Sequence, residues 1–340
     1  MMYRVAIVGA TGNVGREMLD ILHERNFPIK EIVALASSRS VGRSVSFGDQ
    51  EIKVQNLDQF DFSNIDLVFS SPGAKVSQSF APKAAKAGAI VIDNTSFFRM
   101  HDGVPLVVPE VNAQALDILR QSNSKKIIAN PNCSTIQMLV ALAPIHQVAS
   151  IKRIVVATYQ SVSGSGKSAM DELFNQTRSV YVNDTLEKTV FTKQIAFNCI
   201  PHVDHFMDDG STKEEWKMVV ETHKILDPNI KVSATCVRIP VFIGHGEAVN
   251  IELEKPLSVT EARAVLNKAE GISVFDRRED EGYVTPKESA GEDNVFVSRI
   301  RPDKTLKNGL SMWIVADNLR KGAALNSVQI GEALIARKII

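Results

Sequence analysis

Three cysteines in 340 residues, odd in number and widely separated as Cys133, Cys199 and Cys236, do not build a disulfide framework. Their scarcity fits a reducing compartment, where a thiol stays available for chemistry. An excess of either charge is missing too. The 39 Lys and Arg residues balance the 39 Asp and Glu residues, so nothing in the bulk electrostatics points to nucleic acid or an anionic membrane as partner. Long apolar runs are absent. The opening run Met1–Val8 is broken at Gly9 and is too short for a signal peptide, and no stretch approaches membrane-spanning length. A cytoplasmic protein is expected. What is present, 44% hydrophobic and 23% charged residues, is globular, and the length favours two domains.

The first third alternates strands and helices. Short β-branched or apolar runs at 4–8, 31–36, 66–70, 89–92, 105–108 and 127–129 read as buried strands. Val14, Met18, Ile21 and Leu22 recur at helical spacing, and a helix that starts or kinks at Pro82 ends at Gly88. This pattern predicts a Rossmann-type, doubly wound parallel sheet of the α/β class. From residue 133 the runs at 151–160, 234–241, 248–254, 295–300 and 311–316 lie closer together, which predicts an α+β domain with a mixed sheet. A closing helix over 322–338 is expected to return to the first sheet. The expected division is 1–132 with 322–340 for nucleotide binding, and 133–321 for catalysis and dimerisation.

Gly9, Gly12 and Gly15, in Gly9-Ala10-Thr11-Gly12-Asn13-Val14-Gly15, follow a strand and open a helix. Glycines so spaced allow a tight turn and close approach of a pyrophosphate to the helix N-terminus. An NAD site usually offers a carboxylate at the end of the second strand. Here that position reads Ala36-Ser37-Ser38-Arg39-Ser40, with Arg43 close behind. Ser38 and Arg39 suit a 2′-phosphate, so NADP is the favoured cofactor. Ser163-Gly164-Ser165-Gly166-Lys167-Ser168 ends like a P-loop, but Ser161 stands where the first glycine is needed, which argues against an ATP site.

Cys133 lies in Asn130-Pro131-Asn132-Cys133-Ser134-Thr135, just before a long apolar segment that reads as a helix. Unpaired N–H groups and the helix dipole favour a thiolate there, a nucleophile for an acyl centre. Cys199 and Cys236 lack that setting and read as small buried hydrophobes, although Cys236 shares a strand face with Arg238. His245 sits between Gly244 and Gly246, just after a strand, and Arg238 upstream can clamp a carboxylate. His202, Asp204, His205, Asp208 and Asp209 resemble a metal cluster, but nothing else supports a metal, and none is expected.

Together these motifs resemble the aspartate-semialdehyde dehydrogenases over essentially the whole chain. The shared runs include Asp93–Arg99, Val108–Asn112, Thr158–Gly164, Glu214–Lys217, Arg238–Val241 and Ala316–Gly322. The resemblance implies NADPH-dependent conversion of L-aspartyl 4-phosphate to aspartate 4-semialdehyde, on the route to lysine, threonine and methionine, by a homodimer or higher oligomer. It implies Cys133 as acyl-thioester nucleophile, His245 as acid/base and Gln160 as the group that orients the acyl carbon. It further implies Arg238 on the substrate carboxylate, Glu214 on its ammonium, Arg99 and Lys217 on its phosphate, and Asn132 beside them. Thr11, Gly12, Asn13, Val14, Ser38, Arg39, Ser163, Gly164 and Asn318 would contact NADP. Two alternatives stay open: an N-acetyl-glutamyl-phosphate reductase, whose substrate has no ammonium for Glu214, and a non-catalytic nucleotide-binding relative.

Overall fold

The computed structural model describes residues 1–340, which divide into two units: Met1–Asn132 with Ala323–Ile340, and Cys133–Gly322. The first unit contains β1 (Tyr3–Val8), α1 (Asn13–Glu24), β2 (Ile29–Ala36), β3 (Ser44–Phe47), β4 (Gln50–Asn56) and β5 (Leu67–Ser70). It continues with α2 (Ala74–Lys86), which runs through Pro82, then β6 (Ile90–Asp93), α3 (Pro109–Asn112) and β7 (Ile127–Ala129). Its strands lie in the order β3-β4-β2-β1-β5-β6-β7. All neighbours are parallel except the edge pair β3 and β4.

The chain winds outward from β1 through β2 and β4, then crosses back to β5. That leaves a topological switch point between β1 and β5, where doubly wound sheets bind ligands at their strand ends. Gly9 follows β1 there with a φ of 84°. A Cβ at Gly9 would stand 2.8 Å from the Ser71 carbonyl oxygen, so the position needs glycine on both conformational and steric grounds. The C-terminal helix, Leu325–Ala336, does return to this sheet. It buries Leu325, Val328, Ile330 and Leu334 in the same core as Phe69 and Ile92.

Three readings of this unit need correction. The expected strand at 105–108 makes only an isolated bridge, Leu106 with Ala129, because Pro105 and Pro109 deprive it of ladder donors. The closing segment is not one helix: a π-helical turn, Arg320–Ala324, precedes the regular part. The β3–β4 hairpin went unanticipated, since its short, largely polar strands carry a weak apolar alternation.

The second unit begins with α4 (Cys133–Ala149), which is apolar on nearly every side and correspondingly buried. Then come β8 (Ile151–Gln160), α5 (Lys167–Val182), α6 (Lys213–Ile225), β9 (Lys231–Arg238), β10 (His245–Leu253) and α7 (Val259–Leu266). It closes with β11 (Ile272–Val274), α8 (Pro286–Ser289), β12 (Val295–Asp303) and β13 (Gly309–Ala316). The sheet order is β11-β12-β13-β10-β8-β9. It is mixed, with parallel β8/β9 and β11/β12 and antiparallel pairs between. No helix is long and apolar enough to cross a membrane.

Gly15 carries the tightest constraint on the first unit, since a Cβ there would lie 2.2 Å from the Gly9 carbonyl oxygen. Gly15→Ala is expected to lower unfolding stability by about 1–3 kcal/mol in urea titration. Gly12→Ala, whose Cβ would clear the same oxygen at 3.4 Å, is expected to cost markedly less. Equal losses would contradict this account of the turn.

Candidate active site

Four residues of the second unit with chemistry converge because of strand register. Gln160 ends β8 and is paired in register with Arg238, which ends the parallel strand β9. His245 opens the antiparallel β10, so it starts at the same edge of the sheet. This corrects the reading of His245 as a residue beyond a strand end. Helix α4 lies against β8 and β10 and has Cys133 as its first residue. Gly322 lets the chain pass close to it: a Cβ at 322 would meet the Cys133 Cβ at 2.8 Å.

Arg238 is nearly fully buried, and its Nη1 donates to the Ser161 carbonyl at 2.6 Å while Nη2 donates to Ser165 Oγ at 3.1 Å. Burial pushes the guanidinium below its ordinary value, and the negative charges of Glu214 and Cys133 push back. Arg238 and Cys133 are therefore electrostatic neighbours. Glu214, in the first turn of α6, is also buried. The alternative of a solvated helix face is set aside for it. Its Oε1 accepts from Gln160 Nε2 at 3.0 Å and its Oε2 from Lys217 Nζ at 3.0 Å. Lys217 also donates to Asp204 Oδ2 at 2.7 Å, and against the cost of burial this pairing holds Asp204 down at about 2.

His245 is fully buried, and its protonation follows from geometry. Nδ1 accepts the Ser161 backbone N–H at 3.0 Å, and a backbone N–H can only donate. Nδ1 thus carries no proton, and a neutral ring must hold its hydrogen on Nε2. Burial and the Arg238 charge drive the imidazole down to about 3, so the neutral ring persists. Nε2 has no hydrogen-bonding partner in the chain. Gly164 lies beside it: a Cβ there would approach Arg238 Nη1 at 3.3 Å and His245 Nε2 at 3.5 Å.

Asn318, expected as a cofactor contact, is a hub of this loop. Its Oδ1 accepts from the Gly244 N–H at 2.9 Å and from Ser161 Oγ at 3.0 Å, while Nδ2 donates to Ser163 Oγ at 2.9 Å. Sequence reasoning missed Ser161, whose only signal was its failure to be the first glycine of a P-loop. Cys236 is buried, and desolvation with the nearby Glu214 charge pushes its thiol up, which keeps it inert. Cys199 is exposed, contrary to the buried reading, because it lies in the irregular segment before the Ile200–Arg238 bridge. His202 stacks on the Phe206 ring, and no group of three or more potential metal-ligating side chains is gathered anywhere in the chain.

On the first unit, α1 starts at Asn13 with Gly12 as a cap that offers no side chain to its first turn. Arg39 stands exposed on a short turn, Ser38–Ser40, directly after β2, and Ser40 Oγ lies 3.5 Å from Thr11 Oγ1 of the glycine turn. An anion cradle beside a cation, with no carboxylate at the strand end, fits a 2′-phosphorylated dinucleotide. Arg99 of this unit is buried and donates to the carbonyls of Asn130 at 2.9 Å and Asn94 at 3.2 Å. Asn132, the unit's last residue in this part of the chain, is buried as well.

Residues 4–119 match the family model described as semialdehyde dehydrogenase, NAD binding domain, and residues 142–321 match semialdehyde dehydrogenase, dimerisation domain. The chain is 53% identical to the aspartate-semialdehyde dehydrogenase of Aquifex aeolicus, with both chains covered in full. Among solved structures it resembles aspartate semialdehyde dehydrogenase II of Vibrio cholerae, complexed with ASA. That match has a TM-score of 0.95 and 49% identity and covers 99% of each chain. The Candida albicans enzyme with NADP matches at a TM-score of 0.79 and 26% identity, covering 100% of each chain.

Nitrogen-15 NMR of the histidine rings tests the assignment at His245: a neutral ring protonated at Nε2 is expected from pH 8 to pH 5. An imidazolium at pH 6 would contradict it. The unfolded chain takes up this proton near pH 6.5, whereas the native one refuses it until about pH 3. Stability should therefore fall as pH drops through that interval, and His245→Gln should flatten the slope.

Proposed function

The chain belongs to the aspartate-semialdehyde dehydrogenase family, and from that premise we propose how its residues divide the work. The reaction is the reductive dephosphorylation of L-aspartyl 4-phosphate to aspartate 4-semialdehyde and phosphate, with NADPH as reductant. The observation that carries the reading is the half-buried Cys133 at the head of α4 together with the buried Arg238, Glu214, Gln160 and His245. This set offers a thiol, a fixed cation, a fixed carboxylate, an amide and a neutral imidazole.

Arg238 binds the substrate α-carboxylate and Glu214 its ammonium, so together they select an amino acid as acyl group. Glu214 has a use for a free ammonium and none for an acetamide, which disfavours the N-acetyl-glutamyl-phosphate reading. Gln160, held by Thr158 Oγ1 and Glu214, orients the acyl group. Lys217 is the proposed phosphate cation of this unit, and Arg99, of the other unit, is proposed for the same ion. Asn132, next to Cys133 in the chain, is proposed for the substrate site.

The Cys133 thiolate attacks the acyl carbon, the C–O bond to phosphate breaks, and a thioester forms. NADPH, when bound, supplies a hydride to the thioester carbon. His245 donates its Nε2–H to the acyl oxygen as negative charge builds on it in each tetrahedral species. The thiohemiacetal oxyanion, held by the Nε2–H hydrogen bond, then collapses to the aldehyde and the thiolate, with Arg238 and the α4 N-terminus opposing the thiolate charge, and solvent supplies the proton taken up by the departing phosphate. Gly9, Thr11, Gly12, Asn13, Val14 and Gly15 cradle the pyrophosphate, while Ser38 and Arg39 hold the 2′-phosphate. Ser163, Gly164 and Asn318 shape the loop proposed to meet the nicotinamide half.

We also propose a homodimer. The second unit matches a dimerisation domain and leaves Phe174, Tyr181, Phe197 and Phe206 exposed, more aromatic surface than an isolated unit usually shows to water.

In the reverse direction, aspartate semialdehyde, phosphate and NADP should give NADPH. Cys133→Ala should lower the rate by about 10³-fold or more. Activity in that variant equal to the parent would overturn the role of the thiol, and turnover of only the N-acetylated semialdehyde would overturn the substrate. Arg39→Ser should raise the KM for NADP about tenfold and leave that for NAD nearly unchanged. Equal effects on both nucleotides would contradict a 2′-phosphate contact.

A further inference from the structure

Glu247 is a fully buried carboxyl that the chemistry above does not use. It shares the inward face of β10 with His245, Val249, Ile251 and Leu253. Its cross-strand neighbours are Thr158 on β8 and Ile314 on β13, with the Cys236 thiol next along the same row on β9. Over it lies Gln137 of α4, the side chain within hydrogen-bonding reach of the carboxyl. Neither Glu247 oxygen has a hydrogen-bond donor, and Gln137 Oε1 has none either.

The orientation of the Gln137 amide is settled by its other partner. Gln137 donates to the His245 carbonyl at 3.1 Å, and a carbonyl can only accept, so the nitrogen faces His245. Gln137 Oε1 and both Glu247 oxygens are buried with no donor in the chain, and orphaned buried oxygens are costly. One proton on the carboxyl satisfies both sides at once. No cation faces Glu247 from β8, β9, β13 or α4 to favour its ionised form, and burial pushes the carboxyl well above the usual carboxylate range, outweighing a smaller downward pull from the Gln137 amide.

We propose that Glu247 is a neutral carboxylic acid that donates to Gln137 Oε1, and that through Gln137 it ties the His245 backbone to the helix headed by Cys133. Gln137 stands one turn after Cys133 on α4, and His245 heads β10. Glu247 is thus a positioning residue that sets the nucleophile-bearing helix against the imidazole-bearing strand. This role rests on the assignment of Cys133 and His245 to the chemistry; the proton on Glu247 does not.

Infrared difference spectra of the intact enzyme and Glu247→Gln at pH 7 test the proton directly. The carbonyl stretch of a protonated carboxylic acid should be present in the parent and lost in the variant. Carboxylate bands in its place would overturn the proposal, whatever Cys133→Ala does to turnover. Kinetics test the tie. Glu247→Gln keeps a donor for Gln137 and should retain kcat within about threefold, whereas Glu247→Leu and Gln137→Leu should each lower kcat about tenfold or more with little change in nucleotide KM. The double variant should be no worse than either single one. A Gln variant as impaired as the Leu variant, or two unimpaired Leu variants, would overturn it. Should the Leu variants fail to fold, the difference in thermal stability between Glu247→Gln and the parent still reports. The unfolded chain gives up the Glu247 proton around pH 4.5 while the native chain keeps it, so the difference should grow in favour of Gln as pH rises from 5 to 7. A constant difference would contradict a retained proton.

Discussion

The catalytic unit depends on one arrangement, a guanidinium taken out of water at the end of β9. Arg238 has almost no exposure, and an unpaired charge there would be severely destabilising. It is sustained by the Ser161 carbonyl, Ser165 Oγ and the negative charge of Glu214. Each support is also a part of the site. The same positive charge, with burial, keeps His245 neutral. Charge is therefore arranged before any ligand arrives: the cation is the arginine, the nearby anion is the Glu214 carboxylate, and the imidazole is a neutral donor.

Geometry of this kind needs rigid supports, and the sheet supplies them. The register of β8, β9 and β10 brings Gln160, Arg238 and His245 to one edge, where the loop after β8 meets the turn before β10. Ser161 stitches the two, with its amide on His245, its carbonyl on Arg238 and its hydroxyl on Asn318. Asn318 in turn fixes the Gly244 amide. The layer beneath is polar too, through Gln137, Glu247 and Thr158. Polar groups at such depth cost stability unless each has a partner, which is why the proton on Glu247 matters.

Much of this was legible from local signals. The glycine turn, the thiol at a helix start and the Cys236–Arg238 face each rest on a few adjacent residues, and they read correctly as local structure. What resisted reading depends on tertiary context. Glu214 sits in a charged run typical of a solvated helix, yet its burial comes from β8, over fifty residues away. Glu247 looks like an ordinary surface residue. Its one clue is phase, since the alternation His245, Glu247, Val249, Ile251 and Leu253 puts a carboxyl in an apolar row. Cys199 and the segment at 105–108 misled in other ways: Cys199 lies in irregular chain and stays exposed, while 105–108 is buried without forming a ladder strand.

The central claim is that Arg238, not a protonated His245, sustains the charge on Cys133. The most direct test is the rate of Cys133 alkylation by iodoacetamide as a function of pH, in the parent enzyme and in His245→Asn. The account predicts the same midpoint in both, because the imidazole carries no charge to lose. A midpoint that moves to clearly higher pH in the variant would reveal a thiolate–imidazolium pair and contradict the account.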